Sequence, residues 1–558
     1  MLSFVLFIGK HALALALLLV VTAGAGTLAA GRAFSLPLRA ALGLMLWAHA
    51  LFLLAFFGQL RALPMLVLAG VAVAGGVARG GRLKSHLKAR IVIPGVIAFA
   101  AWFLLALYPP LAFDETLYHL PFVRALAESG ELRFLAGLRF PVFPQLHELL
   151  CVPLLLLAGD VATHLVSLVE VLLTAALLFD WGRRYAAHTG VLAATLFLGS
   201  PLVIHLATIG YADAALTLFV TAGFYCLDRA LLRSTDSASL LLAGLFFGTA
   251  CSTKYLGGYF AVAALVLVAI LARPRIRAAA TFAAGCLVTA LPTTLWLTVT
   301  TGNPVFPFLT RVFGATPWAE SLPSVTFATQ AKQTLALLWS VTFARELVNH
   351  QPPLTPLLGA ALLIVIAAAL RDVRARGVAL LAAGYVAIFS FLPQDSRYLV
   401  PLLPLVFLAA AAATAVRWPK LMLPLASLAI APAMLYVIYR VAILGLPPST
   451  TEQRAQMLAK RIPEYTALMH ANAEPVYTCG GEHLKYHARG MLLGDFLGPH
   501  AYHRVLSGAA TTTTIAERLQ PLKVRYFLIA RRVCTPPQDD GGMDLIYQDA
   551  AAQLWRSR

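Results

Sequence analysis

The chain has 558 residues, of which 60% are hydrophobic and only 12% charged, and its mean hydropathy is +0.79. Soluble globular proteins carry about 25% charged residues, so the composition excludes that class and indicates an integral membrane protein. The formal charge of +18 would suit a nucleic-acid-binding protein only if the basic residues formed one soluble face. Many of them stand instead in short clusters between apolar segments, as the positive-inside rule describes.

Apolar runs long enough to cross a membrane recur along the chain, since a helix needs about 20 residues to span the hydrocarbon core. The pattern predicts about fourteen spans, with the N-terminus outside. The first run follows the basic Lys10 and so resembles a signal peptide, but it continues directly into further spans and is therefore interpreted as one of them. The predicted spans are Leu2–Ala29, Leu38–Phe57, Leu63–Val77, Ile91–Tyr108, Val161–Trp181, Val191–Thr208, Asp213–Leu232, Ser239–Thr253, Leu256–Leu271, Ala279–Thr300, Leu354–Leu370, Val378–Leu392, Leu399–Val416 and Leu421–Leu444.

The basic clusters fall on one side of the membrane when these spans are alternated, and that side is predicted to be the cytoplasm. This holds only if the apolar segment Gln145–Ala158 does not cross, so we predict a helix that lies at the outer interface. The clusters are Arg32 with Arg39; Arg79, Arg82, Lys84, Lys88 and Arg90; Arg183 with Arg184; Arg229 with Arg233; Arg273, Arg275 and Arg277; Arg371, Arg374 and Arg376; and Arg417 with Lys420.

Three stretches on the outer side are long enough to carry chemistry: residues 109–160, residues 301–353 and the tail after Leu444. The tail contains the strand-like segments "EPVYTCGG" and "VRYFLIARR" and a helical segment ending in "AERLQPLK", which predict a small α/β domain. Cys479 and Cys534 stand at the ends of the two strand signals. An oxidising periplasm would allow them to pair, and the sequence leaves open whether they do.

Charged residues beside these spans are the candidates for function, because a charge in or next to a span usually faces a cavity. Asp114 and Glu115 follow a predicted span in "YPPLAFDETLYHLP", Asp213 begins a span, and Lys254 and Arg397 stand at span ends on the same outer side. Acids suit the deprotonation of a hydroxyl or the binding of a divalent metal, and bases suit the binding of a phosphate.

Each of these residues also has a structural interpretation that the sequence leaves open. The acidic pair would serve as well in a solvated loop, and Asp213 as a helix N-cap. Lys254 would serve as a side chain that reaches the interface, and Arg397 as an anchor of a helix end.

The His and Glu residues of the first outer stretch do not predict a metal site. His119, His147 and Glu148 match no known metal-ligand spacing, so ordinary polar contacts are expected of them. Asp114 and Asp213 leave a shared divalent cation open, although two acids without a third ligand argue weakly for one. The sequence thus makes no cofactor certain and leaves a divalent cation possible.

The order of five segments resembles the GT-C class of polytopic glycosyltransferases, in particular bacterial relatives of the protein O-mannosyltransferases and of the lipid A aminoarabinose transferase. The segments are "FDETLYHLP", "YADAALTLF", "GLFFGTACSTKYLGG", "TGNPVFPFLTRVFG" and "DSRYLVPLLPLVFLAAA". The resemblance covers residues 91–444. It leaves residues 1–90 as additional N-terminal spans and residues 445–558 as the soluble domain.

The resemblance implies roles for the candidate residues. Asp114 corresponds to the catalytic base of the class, with Glu115 as its companion. Asp213 corresponds to an acid that handles the acceptor or positions the first acid. Lys254 and Arg397 correspond to ligands of a carrier phosphate, and the neighbouring Tyr118, His119 and Tyr398 are expected to help bind substrate. The class uses a polyprenyl-phosphate sugar as donor and inverts the anomeric centre.

The sequence departs from the class in two places, of which the first concerns the alignment around Pro144 and the second concerns the acceptor. The proline pair "HPPL" of the class appears here only as "FPQLHEL", and the tail differs from the repeat-type domain of the protein mannosyltransferases. We therefore leave the acceptor open as a lipid, a glycan or a protein.

The sequence thus predicts an all-α polytopic membrane protein with a C-terminal periplasmic α/β domain, located in a bacterial inner membrane. The expected function is sugar transfer on the periplasmic face. The alternatives are a transporter or flippase for a lipid-linked saccharide and a non-enzymatic assembly protein.

Overall fold

The computed structural model describes residues 2–80, 89–232, 236–318, 327–355, 357–500 and 505–558. Up to Leu444 the chain is helical. The helices are α1 (Leu2–Ala30), α2 (Leu36–Phe56), α3 (Ala62–Gly80), α4 (Ala89–Ala106), α5 (Leu120–Ser129), α6 (Leu146–Ala158), α7 (His164–Gly182), α8 (Thr189–Leu198), α9 (Pro201–Leu206), α10 (Asp213–Leu232), α11 (Ser237–Thr253), α12 (Gly257–Leu271), α13 (Arg275–Thr301), α14 (Thr310–Phe313), α15 (Phe327–Leu335), α16 (Leu337–Phe343), α17 (Leu357–Ala369), α18 (Val373–Phe389), α19 (Leu403–Arg417), α20 (Met422–Ala429) and α21 (Ala431–Leu444).

Short helical turns join several of these elements. Glu115–His119 form a single π-helical turn, a rare conformation that is frequent at functional sites. The 3₁₀ turns of the helical region are Asp160–Thr163, Arg345–Val348, Ser396–Leu402 and Pro419–Leu421.

Within the described residues, eight helical segments are long and apolar enough to cross a membrane. They confirm a multi-pass membrane protein, whereas the total of fourteen spans stays a prediction. The segments are Leu2–Ala30, Leu36–Phe56, Ala62–Gly80, Asp160–Gly182, Asp213–Leu232, Arg275–Thr301, Ser396–Arg417 and Pro419–Leu444.

The helices of the bundle approach one another closely where glycines face a neighbouring backbone. A Cβ added at Gly26 of α1 would lie 1.7 Å from the Arg39 carbonyl oxygen, and one at Gly43 of α2 would lie 1.7 Å from that of Thr22. Small residues at such contacts are the usual means by which membrane helices pack. The first two predicted spans therefore form a tightly packed pair.

One predicted span is divided in the structure. The segment predicted as Val191–Thr208 forms α8 and α9, which are separated at Gly199 and Ser200. Pro201 begins α9, and a proline disfavours helical backbone in the residue before it. The break places His205 and Thr208 beside the cavity described below.

The helix predicted at the outer interface exists as α6, but it is packed inside the bundle. Most of its side chains are buried, while Leu156 and Leu157 remain 51% and 50% exposed. It contacts α2, α5 and α7. Polar contacts explain this burial, because His147 and Glu148 in the first turn of α6 bind the buried partners Glu170 and His119.

Basic residues gather at one end of the bundle, as the alternation of spans predicted. Arg32 Nε donates to the Gly80 carbonyl at 2.6 Å, and Arg79 Nη1 donates to the Leu28 carbonyl at 2.7 Å. Arg229 and Arg374 lie at this end as well, near Ala33 and Asp228 respectively. Arg82, Lys84, Lys88 and Arg233 lie outside the described residues.

The tail is a small α/β domain, which confirms that prediction. Its five-stranded sheet has the order β2-β1-β3-β5-β4, with β1 parallel to β2 and β3 and with β5 antiparallel to β3 and β4. Its elements are α22 (Thr451–Arg461), α23 (Tyr465–His470), β1 (Val476–Cys479), β2 (Leu492–Gly494), α24 (Thr512–Leu519), β3 (Tyr526–Ala530), β4 (Met543–Gln548), β5 (Ala552–Ser557) and the 3₁₀ turns Glu482–Leu484, Gly498–His500 and Gln520–Leu522.

The two cysteines of the tail are bonded to each other. Cys479 ends β1 and Cys534 follows β3, and their Cα atoms are 6.1 Å apart. The disulfide that the sequence left open is therefore present, and it joins the end of β1 to the segment that follows β3.

Candidate active site

Asp114 lies at the end of the bundle opposite the basic clusters, directly before the π-helical turn. Its Oδ2 atom is 2.6 Å from Arg397 Nη2, and Tyr118 donates a hydroxyl to the same oxygen at 3.4 Å. The backbone N–H of Asp114 donates to the Tyr211 hydroxyl at 3.0 Å. Burial alone would raise the pKa of this carboxyl, but the Arg397 guanidinium and His119 outweigh burial, so the net pKa is lowered. Asp114 is therefore a carboxylate at neutral pH.

Glu115 points into a different, fully buried environment. Its Oε1 atom lies 2.6 Å from His164 Nε2 and accepts the Gly210 N–H at 2.8 Å, while Oε2 accepts the Ala112 N–H at 3.4 Å. A Cβ at Gly210 would lie 2.8 Å from Oε1, so the close approach requires glycine. Glu115 thereby ties the Asp114 segment to α7 and to the turn before α10.

Asp213 and Lys254 form a second ion pair. Lys254 Nζ is 2.7 Å from Asp213 Oδ1, and Asp213 is only 1% exposed. Asp213 begins α10, and Lys254 follows the last residue of α11. Two predicted residues from separate motifs thus meet, and each largely neutralises the charge of the other.

Tyr398 connects the two ion pairs. Lys254 Nζ lies 4.9 Å from the centre of its ring, and Arg397 Cζ lies 5.2 Å from it. The Tyr398 backbone carbonyl accepts the Tyr385 hydroxyl at 2.6 Å, which fixes the segment. Cations over an aromatic face are attracted by its quadrupole, so the ring holds both basic side chains on one side of the site.

Arg397 is shared by two carboxylates. Besides Asp114, its Nε atom lies 3.0 Å from Asp395 Oδ2. Asp395 in turn accepts the side-chain amides of Asn349 at 2.8 Å and Gln351 at 3.3 Å. The second outer loop therefore reaches the site through these two amides.

A cavity of about 520 Å³ opens beside Asp114 and Arg397. Among the predicted residues, Asp114, Glu115 and Arg397 line it, whereas Asp213, Lys254, Tyr118, His119 and Tyr398 do not. Its polar lining consists of Tyr108, Asp114, Glu115, His164, His205, Thr208, Tyr211, Asn349, Gln351, Arg397 and Arg440.

His119 and His147 each bond to a buried glutamate. His119 Nδ1 is hydrogen-bonded to Glu148, and His147 Nδ1 lies 3.1 Å from Glu170 Oε1. Within the part of the chain that the structure describes, no three His, Cys, Asp or Glu side chains group as a metal site would require. The polar contacts expected of His119, His147 and Glu148 are thus observed.

The tail contacts the same segment that carries Asp114. The Tyr486 N–H donates to the Thr116 carbonyl at 2.9 Å, and the His483 ring stacks on Phe113 with centres 5.7 Å apart. Farther along the first outer loop, Arg454 binds Asp160 through both guanidinium nitrogens. The soluble domain therefore packs directly on the backbone around Asp114.

Sequence reasoning missed several residues of the site, although signals for some were present. Tyr211 and Asp395 lie inside motifs already singled out, next to Asp213 and Arg397. Arg440 is the one charged residue of the predicted span Leu421–Leu444, and an intramembrane charge is a functional signal by itself. His164, Asn349 and Gln351 carry no local signal.

Comparisons with known proteins agree with this architecture. The family model "Dolichyl-phosphate-mannose-protein mannosyltransferase" matches residues 151–296, and the model SF2091/S2213 matches residues 453–556. The uncharacterized protein SF2093/S2215 of Shigella flexneri is 35% identical over 128 residues. That match covers 22% of this chain and 63% of the relative's own length.

Two solved structures share the fold. ArnT from Cupriavidus metallidurans bound to undecaprenyl phosphate aligns with a TM-score of 0.53 at 13% identity, over 84% of this chain and 97% of that chain. Its apo state aligns with a TM-score of 0.54 at the same identity and coverage. The predicted resemblance is therefore confirmed: the chain is a multi-pass membrane protein that has the fold of the ArnT structures, and its residues 151–296 match the mannosyltransferase family model.

Proposed function

We propose that the chain transfers a sugar from a polyprenyl phosphate to a hydroxyl group, with Asp114 as the catalytic base. The observation that carries the proposal is the placement of the Asp114 carboxylate and the Arg397 guanidinium, 2.6 Å apart, on the wall of one cavity. A base and a cation side by side are what a displacement at a sugar phosphate needs. The undecaprenyl phosphate bound by ArnT, which shares the fold, supports this donor class.

The proposed reaction is a single displacement that inverts the anomeric centre. The acceptor oxygen forms a bond to the anomeric carbon while the bond from that carbon to the phosphate oxygen breaks. The hydroxyl proton passes to Asp114, and the electron pair of the broken bond remains on the departing phosphate. Arg397 and Lys254 are proposed to stabilise the charge that develops there.

The other predicted residues receive supporting roles in this proposal. Glu115, whose oxygens are occupied by His164 and backbone N–H groups, positions Asp114 from behind. Asp213 holds Lys254. Tyr118, His119 and Tyr398 surround the two ion pairs and complete the substrate-binding set.

The site is proposed to face the periplasm of a bacterial inner membrane. The basic clusters lie at the far end of the bundle, which by the positive-inside rule would be cytoplasmic. The Cys479–Cys534 bridge supports an oxidising compartment for the tail. The acceptor stays open as a lipid, a glycan or a protein, and so does a divalent cation.

The test is to incubate the purified full chain with a labelled polyprenyl-phosphate sugar and candidate acceptors, and to measure released carrier phosphate. Asp114→Asn should lower the rate by about 10² to 10⁴-fold, the usual contribution of a general base, while donor binding persists. Glu128→Gln, an exposed acid on α5, is the matched control and should act like the wild type. A wild-type rate in Asp114→Asn would reject the base, and movement of the lipid-linked sugar across the bilayer without release of carrier phosphate would favour a flippase.

A further inference from the structure

Arg440 is an inward-facing charge in the last membrane helix. On α21 the lipid-facing side is marked by Leu435, Ile438 and Tyr439, which are 67%, 62% and 58% exposed. The buried residues Ala433 and Val437 mark the opposite side. Arg440 stands seven residues after the first and three after the second, so it shares their face. Its side chain lines the same cavity as Asp114 and Arg397.

This orientation argues against Arg440 serving as an anchor at the membrane interface. Arg440 lies four residues before Leu444, the end of α21, and a charged side chain that serves as an anchor near a helix end reaches out to the lipid headgroups. Such a side chain belongs on the lipid-facing side of α21. The inward position therefore indicates a partner inside the cavity.

Among the described residues, the other charged groups of the cavity have ion-pair or hydrogen-bond partners, whereas Arg440 has no carboxylate partner. Arg397 is bound by the Asp114 and Asp395 carboxylates, and Glu115 is occupied by His164 and backbone donors. Within the described residues, Arg440 forms no ion pair. The centre of the Tyr436 ring lies 6.0 Å from the Arg440 Cζ atom.

Tyr436 also connects Arg440 to a second nitrogen-bearing side chain. The Tyr436 hydroxyl lies 3.0 Å from His205 Nδ1, and His205 lines the cavity as well. An anion at this end of the cavity would therefore meet a guanidinium that no carboxylate neutralises, beside an imidazole and a phenol.

We propose that Arg440 binds a lipid phosphate in this cavity. The inference rests on the proposed function, and it assigns the phosphate contact to α21 in addition to the ion-paired Lys254 and Arg397. A guanidinium binds two phosphate oxygens through parallel N–H donors, and here it would do so without first breaking an ion pair. The phosphate has two candidate sources: the polyprenyl carrier, or the headgroup of a lipid acceptor.

The experiment measures equilibrium binding, so it does not depend on turnover. The full chain in phosphatidylcholine nanodiscs is titrated with undecaprenyl phosphate, with the phosphate-free undecaprenol and with phosphatidic acid. Arg440→Gln should weaken the binding of undecaprenyl phosphate about 10- to 100-fold, as expected for the loss of a charged hydrogen-bonding partner. The affinity for undecaprenol should not change. Arg417→Gln, an exposed arginine at the basic end, should change neither.

The outcomes separate the possibilities. A loss confined to phosphatidic acid would also support the phosphate site and would assign it to the acceptor. Unchanged binding of both phosphate lipids to a folded Arg440→Gln protein would overturn the proposal. Arg440→Met, which keeps the aliphatic stem, provides a second neutral variant with the same expected loss. If no sugar transfer is found while the Arg440-dependent binding persists, the proposed transfer reaction is rejected but the proposed phosphate site is supported.

Discussion

The two outer loops of the bundle differ in the ion pairing and exposure of the charged residues compared here. In the first loop, Asp114, Glu115, Glu148 and Asp160 each pair with a basic side chain. In the described part of the second loop, Arg311, Lys332, Arg345 and Glu346 are exposed. The tail packs on the first loop, and the second reaches the site mainly through Asn349 and Gln351. The difference indicates that packing and ion pairs fix these acidic residues of the first loop, whereas the charged residues of the second loop stay in contact with solvent.

Removal of the Glu115 carboxylate should give the largest loss of stability. Glu115→Ala leaves His164 Nε2 and the Gly210 N–H buried without an acceptor, which we expect to lower the free energy of unfolding by about 3 to 5 kcal/mol. Denaturant midpoints in detergent measure this. Glu346→Ala, an exposed acid of the second loop, should shift stability by less than about 0.5 kcal/mol. Equal midpoints for the two variants would contradict the comparison.

The tail that holds the first loop should respond to pH through Glu482. Burial, helped by the nearby Asp495, raises the pKa of this carboxyl to about 7. Between the ordinary pKa and pH 7 the unfolded chain loses this proton while the folded tail keeps it, so the free energy of unfolding falls as the pH rises through that window, by up to about 3 kcal/mol. Glu482→Gln should accordingly gain stability relative to the wild type as the pH rises from 5 to 7.5.

The measured quantity is the difference in stability between Glu482→Gln and the wild type, because His487 changes the stability of the tail with pH in the opposite direction. Burial lowers the pKa of His487 to about 4, so its contribution to stability grows as the pH rises towards the ordinary histidine pKa. That contribution is common to both proteins and cancels. A constant stability difference between them at all pH values would show that Glu482 is not the responsible group.

The contact between Arg454 and Asp160 should have a smaller effect, on the order of 1.5 to 3 kcal/mol, because a charged hydrogen-bonded pair is lost but the tail keeps its own core. Arg454→Ala should speed proteolysis of the connection between α21 and α22. Addition of Asp160→Ala should change little further, because the two residues act as one unit. Additive effects of the two substitutions would reject the direct pair.

The smallest effect is expected in the second loop. Asn349→Ala removes one hydrogen bond to Asp395, worth about 1 kcal/mol, and should slow release of carrier phosphate about fivefold. The assay is the one used for Asp114→Asn. A loss above 100-fold would show that the second loop takes part in the chemistry as directly as the first.

Much of this architecture is predictable from local patterns. Apolar runs identify the membrane helices, alternation places the basic clusters together, and strand signals locate β1 and β3. The residues that the chain brings together from distant segments are harder. Arg397 and His164 have no periodicity or spacing that links them to Asp114 and Glu115, because ion pairs between separate segments depend on packing. The burial of α6 could not be predicted for the same reason, because its polar residues are buried only where Glu170 and His119 bind them.

Helix α10 runs from the candidate site, where Asp213 lies, to the basic end of the bundle, where Asp228 lies near Arg374. Asp213 begins the helix and bonds to Lys254, and Asp228, about 22 Å along the axis, accepts the Trp181 indole N–H at 2.9 Å. The two contacts fix the rotational phase of the helix. One residue inserted between them would turn Asp213 by about 100° relative to Asp228, whereas seven would restore the phase to within about 20°. The same seven residues would lengthen the helix by about 10 Å, so no insertion between Asp213 and Asp228 keeps both contacts.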